Sequence, residues 1–451
     1  MQVLKFGGSC LADHRDLDHI ARGIEACSSP PVVVLSAIRG VTDELVSILD
    51  RAESLGLSEP DRAAFVEGMR ARHLSFSPDL AANPEMLESF DGLFRQVDED
   101  LAAIAHSPPA RRSSQAVIRV LAAGERASIL AVAAGLLERG LEVEPVRSEQ
   151  IGIRLSVSEA LARIDLDATR ANLSLPDGCI PLCTGWYGID AEGDLALLGR
   201  GGSDCTATAL ATILSAEAVT IWRDTPGVLA IDPSWQLPGR RLGYLSYAEA
   251  LQLATTSDSL LHPDAIEPLI DLGIPLYVRP LRSTDEPGTL IGPSIVLDPP
   301  RIRALACRRG LNEVLWRVHP GRGLSRTLGA LSRALHHRRI RVWSLRGDSH
   351  GIRVLTDEKD VIRIGMTIRT FDGDAPIEPS PPLALLTFIG EALGTAEDVE
   401  ESVLAVTRAA GIRMRPLGDG LSEHGFDMLL PESDVKRAVP AVTEAFGLLE
   451  A

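Results

Sequence analysis

Two short apolar runs near the start of the chain, residues 2–6 and Val32-Val33-Val34-Leu35-Ser36-Ala37, limit the folds open to it. Both are mostly apolar rather than alternating, and both are bounded by Gly, Ser or Pro. Strands of that kind belong inside a parallel sheet, where helices cover both faces. A helix is expected between them over Leu17–Ala26, so the chain opens as a β-α-β unit. From Asp43 to Ser128, Ala, Leu, Glu and Arg recur at helical spacing, which predicts a helical block inserted before the sheet resumes. Further strands are expected at Glu142–Val146, Ile180–Thr184, Ala218–Trp222 and Leu276–Val278, alternating with Ala-rich helices such as Thr206–Leu214. The fold class is therefore α/β.

Pro287-Gly288 and the stretch from Gly292-Pro293 to Pro299-Pro300 mark a boundary near residue 295. Beyond it the sequence repeats. Ile340-Arg341-Val342, His350-Gly351 and Asp360-Val361 recur as Ile412-Arg413-Met414, His424-Gly425 and Asp434-Val435, at offsets of 72 to 74 residues. Each copy reads as helix, strand, turn, strand, helix, with Leu324–His336 and Asp398–Ala410 as the first helices. Two small α+β modules of one build are expected, suited to dimerisation or ligand sensing because neither holds a nucleophile or metal cluster.

A net charge of -17 argues against nucleic acid or an anionic membrane as the general partner. Met1 leads straight into a strand-like run, and no stretch approaches 18 uninterrupted apolar residues, so a cytoplasmic location is expected. The six cysteines are scattered and read as reduced, mostly buried thiols.

Within this acidic chain the basic residues are almost all arginine: of 45 Lys and Arg, only Lys5, Lys359 and Lys436 are lysine. Lys5 stands in Lys5-Phe6-Gly7-Gly8-Ser9. An ammonium is a compact charge that can follow a moving phosphoryl oxygen, and the glycines let the backbone approach a ligand. The densest site-like string is Gly199-Arg200-Gly201-Gly202-Ser203-Asp204, before an Ala-rich helix, where glycines and a helix start suit an anion and Ser203 or Asp204 is the expected N-cap. Glu125 is expected at the start of the helix Ala127–Leu137, and Ser36 to Asp43 follows a strand at its carboxyl end, where open α/β sheets bind ligands. Neither the dinucleotide fingerprint nor the P-loop occurs in place, and zinc and nucleophile-elbow motifs are lacking.

Lys5-Phe6-Gly7-Gly8-Ser9, Ser36-Ala37 with Gly40-Val41-Thr42, Gly124-Glu125-Arg126 and Gly199 to Asp204 stand in the order and approximate spacing of the aspartate kinases. Ile221 to Val228, Asp232-Pro233, Leu261-His262-Pro263 and Pro287 to Leu290 continue the match, and the terminal modules resemble that family's paired ACT domains. The resemblance implies a carbamate kinase-like catalytic domain over 1–295. A first ferredoxin-like ACT domain over 313–379 is then inserted into a second, made of 301–312 plus 380–451.

It implies transfer of the γ-phosphoryl group of Mg-ATP to the side-chain carboxylate of L-aspartate, giving 4-phospho-L-aspartate. ATP and Mg2+ are the implied cofactors, with no protein metal ligand assigned, and homo-oligomers form through the ACT domains. By position in the family's motifs, Lys5 and Asp204 are catalytic, and Thr42, Glu125, Arg200 and Ser203 hold aspartate. Lys5, Gly7, Gly8 and Ser9 cradle phosphates, and Arg223, Asp224, Asp232 and Ser259 lie on the nucleotide side.

Four positions depart from the family's usual residues. Arg223 stands for threonine, Leu229 for tyrosine, Ser234 for arginine, and Asp258-Ser259 for a string ending in lysine. A missing ring and two missing cations predict weaker ATP binding, unless Arg223 or Trp235 compensates. The same losses motivate two alternatives: an amino-acid kinase with another carboxylate acceptor, and a regulatory pseudo-kinase partner. Lysine or threonine inhibition is not carried over, since the first ACT-like module has Leu345 to Ser349 where a Thr-Ser-Glu pattern is usual.

Overall fold

The fold is described from a computed structural model, for all residues except 55, 108–113, 159–160, 257–260, 284–285, 296–299, 319–322, 419–422 and 451. The expected opening forms as β1 (Gln2–Phe6), α1 (Asp16–Glu25) and β2 (Val32–Leu35). The helical block is α2 (Val41–Ser54), α3 (Glu59–Phe76), α4 (Pro84–His106) and α5 (Ser114–Glu138). There follow β3 (Val143–Val146), α6 (Ser148–Ile151), β4 (Leu155–Ser158), β5 (Leu161–Ile164), α7 (Leu166–Asn172), β6 (Ile180–Thr184), β7 (Tyr187–Ile189) and β8 (Leu195–Leu197). The series continues with α8 (Gly202–Ile213), β9 (Ala218–Arg223), β10 (Tyr244–Ser246), α9 (Tyr247–Thr256), α10 (Glu267–Ile270), β11 (Leu276–Pro280) and β12 (Thr289–Gly292).

Eight of these strands form one sheet in the order β10-β12-β11-β9-β1-β2-β6-β3. All neighbours run parallel except β11 and β12. β1 lies inside the sheet, with Lys5 level with Val34 on one side and Ile221 on the other. Leu4 and Phe6 point into the core shared with Leu17, Ile20, Ala127 and Ala131 of α1 and α5. Successive strand side chains alternate, so Val3 and Lys5 face the other side, where α8 lies against β1. α5 is long and apolar enough to cross a membrane, but 78% of its apolar window is buried inside the protein, as expected of a core helix.

Three local expectations need correction. Glu125 sits in the middle of α5, because the helix starts at Ser114 rather than near Ala127. α8 starts at Gly202, four residues before the expected Thr206, so Ser203 and Asp204 fall in its first turn. Its N-cap is Gly201, at φ 76°, and no side chain caps it. The left-handed turn needs a residue without Cβ, and glycine supplies it where a polar N-cap was expected.

A second compact unit comprises Leu229–Arg240, residues from Gln252 at the end of α9, and the chain from Ser294. Its elements are β13 (Ala304–Trp316), α11 (Leu324–His337), β14 (Val342–Asp348), β15 (Gly351–Asp357), α12 (Val361–Phe371), β16 (Ile377–Pro379), β17 (Leu383–Ile389), α13 (Glu397–Ala409), β18 (Arg415–Pro416), β19 (Gly425–Pro431) and α14 (Val435–Ala445). Helix, strand, strand, helix thus occurs twice. β13 serves both copies: Ala304–Arg308 pairs with β17, Leu311–Trp316 with β15, and the register shifts between Arg308 and Leu311, beside Gly310 at φ 69°. Buried Glu313 accepts from one arginine of each copy, Arg353 at 3.4 Å and Arg415 at 3.0 Å.

Candidate active site

β1, β2, β6 and β9 run parallel, so their carboxyl ends open on the same edge of the sheet. The loops after β1, β2 and β6, with the start of α8 and the middle of α5, line a cavity of about 430 Å³. Lys5, Gly8, Ser9, Thr42, Glu125, Arg200, Ser203 and Asp204 all line it. The close approach of the first two loops depends on Gly8, where a Cβ would lie 3.0 Å from the Ala37 carbonyl oxygen.

Lys5 Nζ lies 2.6 Å from Asp204 Oδ1, and Arg223 Nη2 lies 3.0 Å from Asp204 Oδ2. Both partners of the first pair are nearly buried, at 9% and 6% side-chain exposure. Burial alone would push the Asp204 carboxyl up, but Lys5 and then Arg223 outweigh it, so the group is held below its usual range. Removing either charge from water is costly, and the pair is stable here because each offsets the other at contact distance. Two cations against one carboxylate leave the cluster net positive, which suits a phosphoryl group gaining negative charge. Arg223 ends β9, and the preceding Trp222 stacks its ring on Phe6 with centroids 6.1 Å apart.

Glu125 is carried on α5, which approaches the loop after β2 because residue 124 is glycine; a Cβ there would meet Ala37 Cβ at 2.9 Å and Val41 Cγ1 at 3.0 Å. The Ala37 N–H donates to Glu125 Oε1 at 3.3 Å, and Ser128 Oγ donates to the Ser36 carbonyl at 2.7 Å. Oε2 is buried with no hydrogen-bond partner. Burial pushes the Glu125 carboxyl up to about 8, against smaller opposing effects of backbone N–H groups and Lys5. A charge of opposite sign entering the cavity would draw its proton off.

Arg200 is exposed at the mouth, just before the left-handed Gly201. Gly202 fits only without a side chain, since a Cβ would meet Leu198 Cβ at 2.6 Å and Trp186 Cδ1 at 2.7 Å. Trp186 is a lining residue that sequence reasoning missed. It sits at φ 75°, a conformation costly for a bulky residue, and its N–H donates to Thr206 Oγ1 at 3.3 Å. The only signal for it was its place two residues beyond β6. Gly185, just before it, lies so near α8 that a Cβ would be 2.6 Å from Ser203 Cβ. Gly185→Ala is expected to displace the start of α8 and cost about 1–3 kcal/mol, read as a lower denaturation midpoint; an unchanged midpoint would refute the tight fit.

The nucleotide-side residues belong to both units of the structure. Arg223 reaches Asp204, and a Cβ on Gly7 would lie 3.2 Å from Lys5 Nζ. Asp224 is 3.8 Å from Arg39, a lining residue. Asp232 belongs to the second unit, where its Oδ1 accepts from the Ser234 N–H at 2.8 Å. Ser259 lies outside the described residues. Among the described residues no cluster of three or more His, Cys, Asp or Glu could hold a metal ion.

The model of the amino acid kinase family matches residues 1–280. The chain belongs to the amino acid kinase family. Its relatives include lysine-sensitive aspartokinase 3 of Escherichia coli (strain K12), 28% identical over 97% of each chain. An aspartokinase of Bacillus sp. (strain MGA3) is 30% identical over 77% of this chain and 85% of its own. Within the family the chain is thereby placed among the aspartokinases. The fold agrees: the crystal structure of E. coli aspartokinase III in complex with aspartate and ADP matches with a TM-score of 0.82 at 24% identity, covering 98% of this chain and 99% of the other.

Proposed function

We propose that this aspartokinase transfers the γ-phosphoryl group of Mg-ATP to the side-chain carboxylate of L-aspartate, forming 4-phospho-L-aspartate. One observation carries the assignment of roles: a single cavity is lined by Lys5 and Asp204, which Arg223 also pairs, together with a buried carboxyl, Glu125, that has an unpartnered oxygen, and an arginine at the mouth. A small zwitterion with two carboxylates meets complementary groups at each end. Arg200 pairs with the α-carboxylate in two-pronged fashion, Glu125 takes the ammonium, and Thr42 and Ser203 add hydrogen bonds.

The side-chain carboxylate is already a nucleophile at neutral pH, so no general base is required. The protein's task is to align it with the phosphoryl group and stabilise the charge that develops. Lys5 supplies a compact ammonium beside the transferring oxygens, held in place by Asp204. Gly7, Gly8 and Ser9 let the phosphates approach the backbone.

Mg2+ fits as part of the nucleotide. Asp204, paired with Lys5, is a carboxylate lining the cavity, and a magnesium ion carried on phosphates needs only one or two protein carboxylates. When bound, it neutralises phosphate charge. We also infer the domain division 1–295, 313–379 and 301–312 plus 380–451, a cytoplasmic location, and homo-oligomers through the terminal repeats; the division of β13 between the two copies supports the inserted arrangement.

Incubation with ATP, magnesium, aspartate and hydroxylamine is expected to yield aspartyl hydroxamate. No product, with another aspartokinase positive in parallel, would overturn the proposal.

A further inference from the structure

A second cavity of about 540 Å³ opens between α4, α5 and the β3–α6 segment. Arg119, Arg126 and Arg147 line it, and no described carboxylate does, in a chain with 62 acidic residues. Leu93, Ile129, Leu130 and Pro145 supply an apolar wall. The guanidinium groups are held from behind. Arg119 is bound in two-pronged fashion by buried Asp100, at 2.9 and 2.5 Å. Glu149 Oε1 is shared by Arg126 at 2.8 Å and Arg147 at 3.3 Å. Three cations against these two carboxylates leave one positive charge unbalanced, and both carboxylates stand outside the lining.

Arg126 also donates to Tyr187 Oη at 3.1 Å and lies over that ring, 5.2 Å from its centroid. This ties the second cavity to the first through two adjacent pairs in the chain. Glu125 and Arg126 are successive on α5, about 100° apart around the helix axis, so one lines each cavity. Trp186, in its costly conformation, lines the catalytic cavity, and Tyr187 beside it holds Arg126.

We propose that this cavity is a binding site for a small organic anion, a carboxylate or phosphate with a short apolar part, and that its occupancy is felt at the catalytic cavity through Arg126. The anion's oxygens take the arginine forks in charge-assisted hydrogen bonds while its hydrocarbon covers Ile129 and Leu130. Drawing Arg126 toward the ligand changes what holds Tyr187, and with it the setting of Trp186 and Glu125. The anion and aspartate are then linked by a coupling that works in both directions.

Phenyl phosphate serves as the probe, titrated calorimetrically into the full chain, with inorganic phosphate as the comparison lacking the apolar part. Saturable one-site binding is expected, tighter than that of inorganic phosphate and retained in Lys5→Ala. It should weaken about tenfold or more in Arg147→Gln, which removes one charge-assisted contact, and in Gly92→Phe, which fills space from a lining position. A Cβ on Gly92 meets nothing nearer than Arg95 Nη2 at 3.6 Å, so this variant should fold. Phenyl phosphate should also shift the KM for aspartate about fivefold or more, and Gly92→Phe should abolish the shift. No saturable binding, binding lost in Lys5→Ala, or binding untouched by both cavity variants overturns the site. Binding with an unchanged KM overturns its link to catalysis. The calorimetric arm stands whatever the chain phosphorylates.

Discussion

Lys5→Ala is expected to lower kcat about 10²–10³-fold, the effect of removing one preorganised group that stabilises transition-state charge, while the protein stays folded. Removing one partner of a buried ion pair is ordinarily destabilising because it strands the other charge. Here Asp204 keeps Arg223 at 3.0 Å, so the carboxylate is not left alone. Lys5→Arg is not expected to restore turnover. The guanidinium is a planar fork larger than an ammonium, and the space beside Nζ is confined by Gly7, where even a Cβ would come within 3.2 Å. Hydroxamate formation and a thermal melt on each variant test both statements. Turnover near that of the unaltered enzyme in Lys5→Ala would remove Lys5 from the reaction; loss of the folded transition would show that Arg223 does not sustain Asp204.

Glu125→Gln is expected to raise the KM for aspartate about 10–100-fold, the cost of losing a charged hydrogen-bond partner for the ammonium, with a smaller effect on kcat. The pH dependence follows from the buried carboxyl, which stays protonated up to about 8 in the empty cavity. Below that pH the group is neutral and attracts the ammonium weakly, so KM should fall as pH rises through about 8, and the Gln variant should lose this dependence. Stability moves the other way. In the unfolded chain Glu125 ionises near its ordinary value of 4.5, so between there and about 8 the folded state holds a proton that the unfolded state has lost. Stability from this group therefore declines as pH rises across that window. Glu125→Gln should melt higher than the unaltered protein at pH 8 and show little difference at pH 4. A KM profile unchanged by the substitution would separate Glu125 from the substrate.

Much of this was legible before any coordinates. The runs at residues 2–6 and 32–37 marked inner parallel strands because only a sheet covered on both faces accepts continuous apolar side chains. The motif residues of four separated segments are recognisable in order, and eight of the site residues expected from them, Lys5, Gly8, Ser9, Thr42, Glu125, Arg200, Ser203 and Asp204, line one cavity. Local boundaries were harder. The start of α8 is not legible locally, because Gly202, Ser203 and Asp204 resemble a loop, whereas a left-handed Gly201 and the close fit to Leu198 and Trp186 make them helix. Glu125 looked like a helix-start residue because the Gly before it suggested a break; that glycine instead lets α5 pass close to the loop after β2.

By itself the sequence determined the α/β class, the terminal repeat, the family, and which residue types stand at each motif. These depend on periodicity and on short strings that are local in the chain. Only the tertiary structure decided that Arg223 shares Asp204 with Lys5, that Trp186 faces the cavity, that Glu125 is buried with an unpartnered oxygen, and that three arginines converge elsewhere with no lining carboxylate among the described residues. Each of those depends on side chains from distant segments meeting in space, and on how much water the packing around them leaves, which no local pattern records.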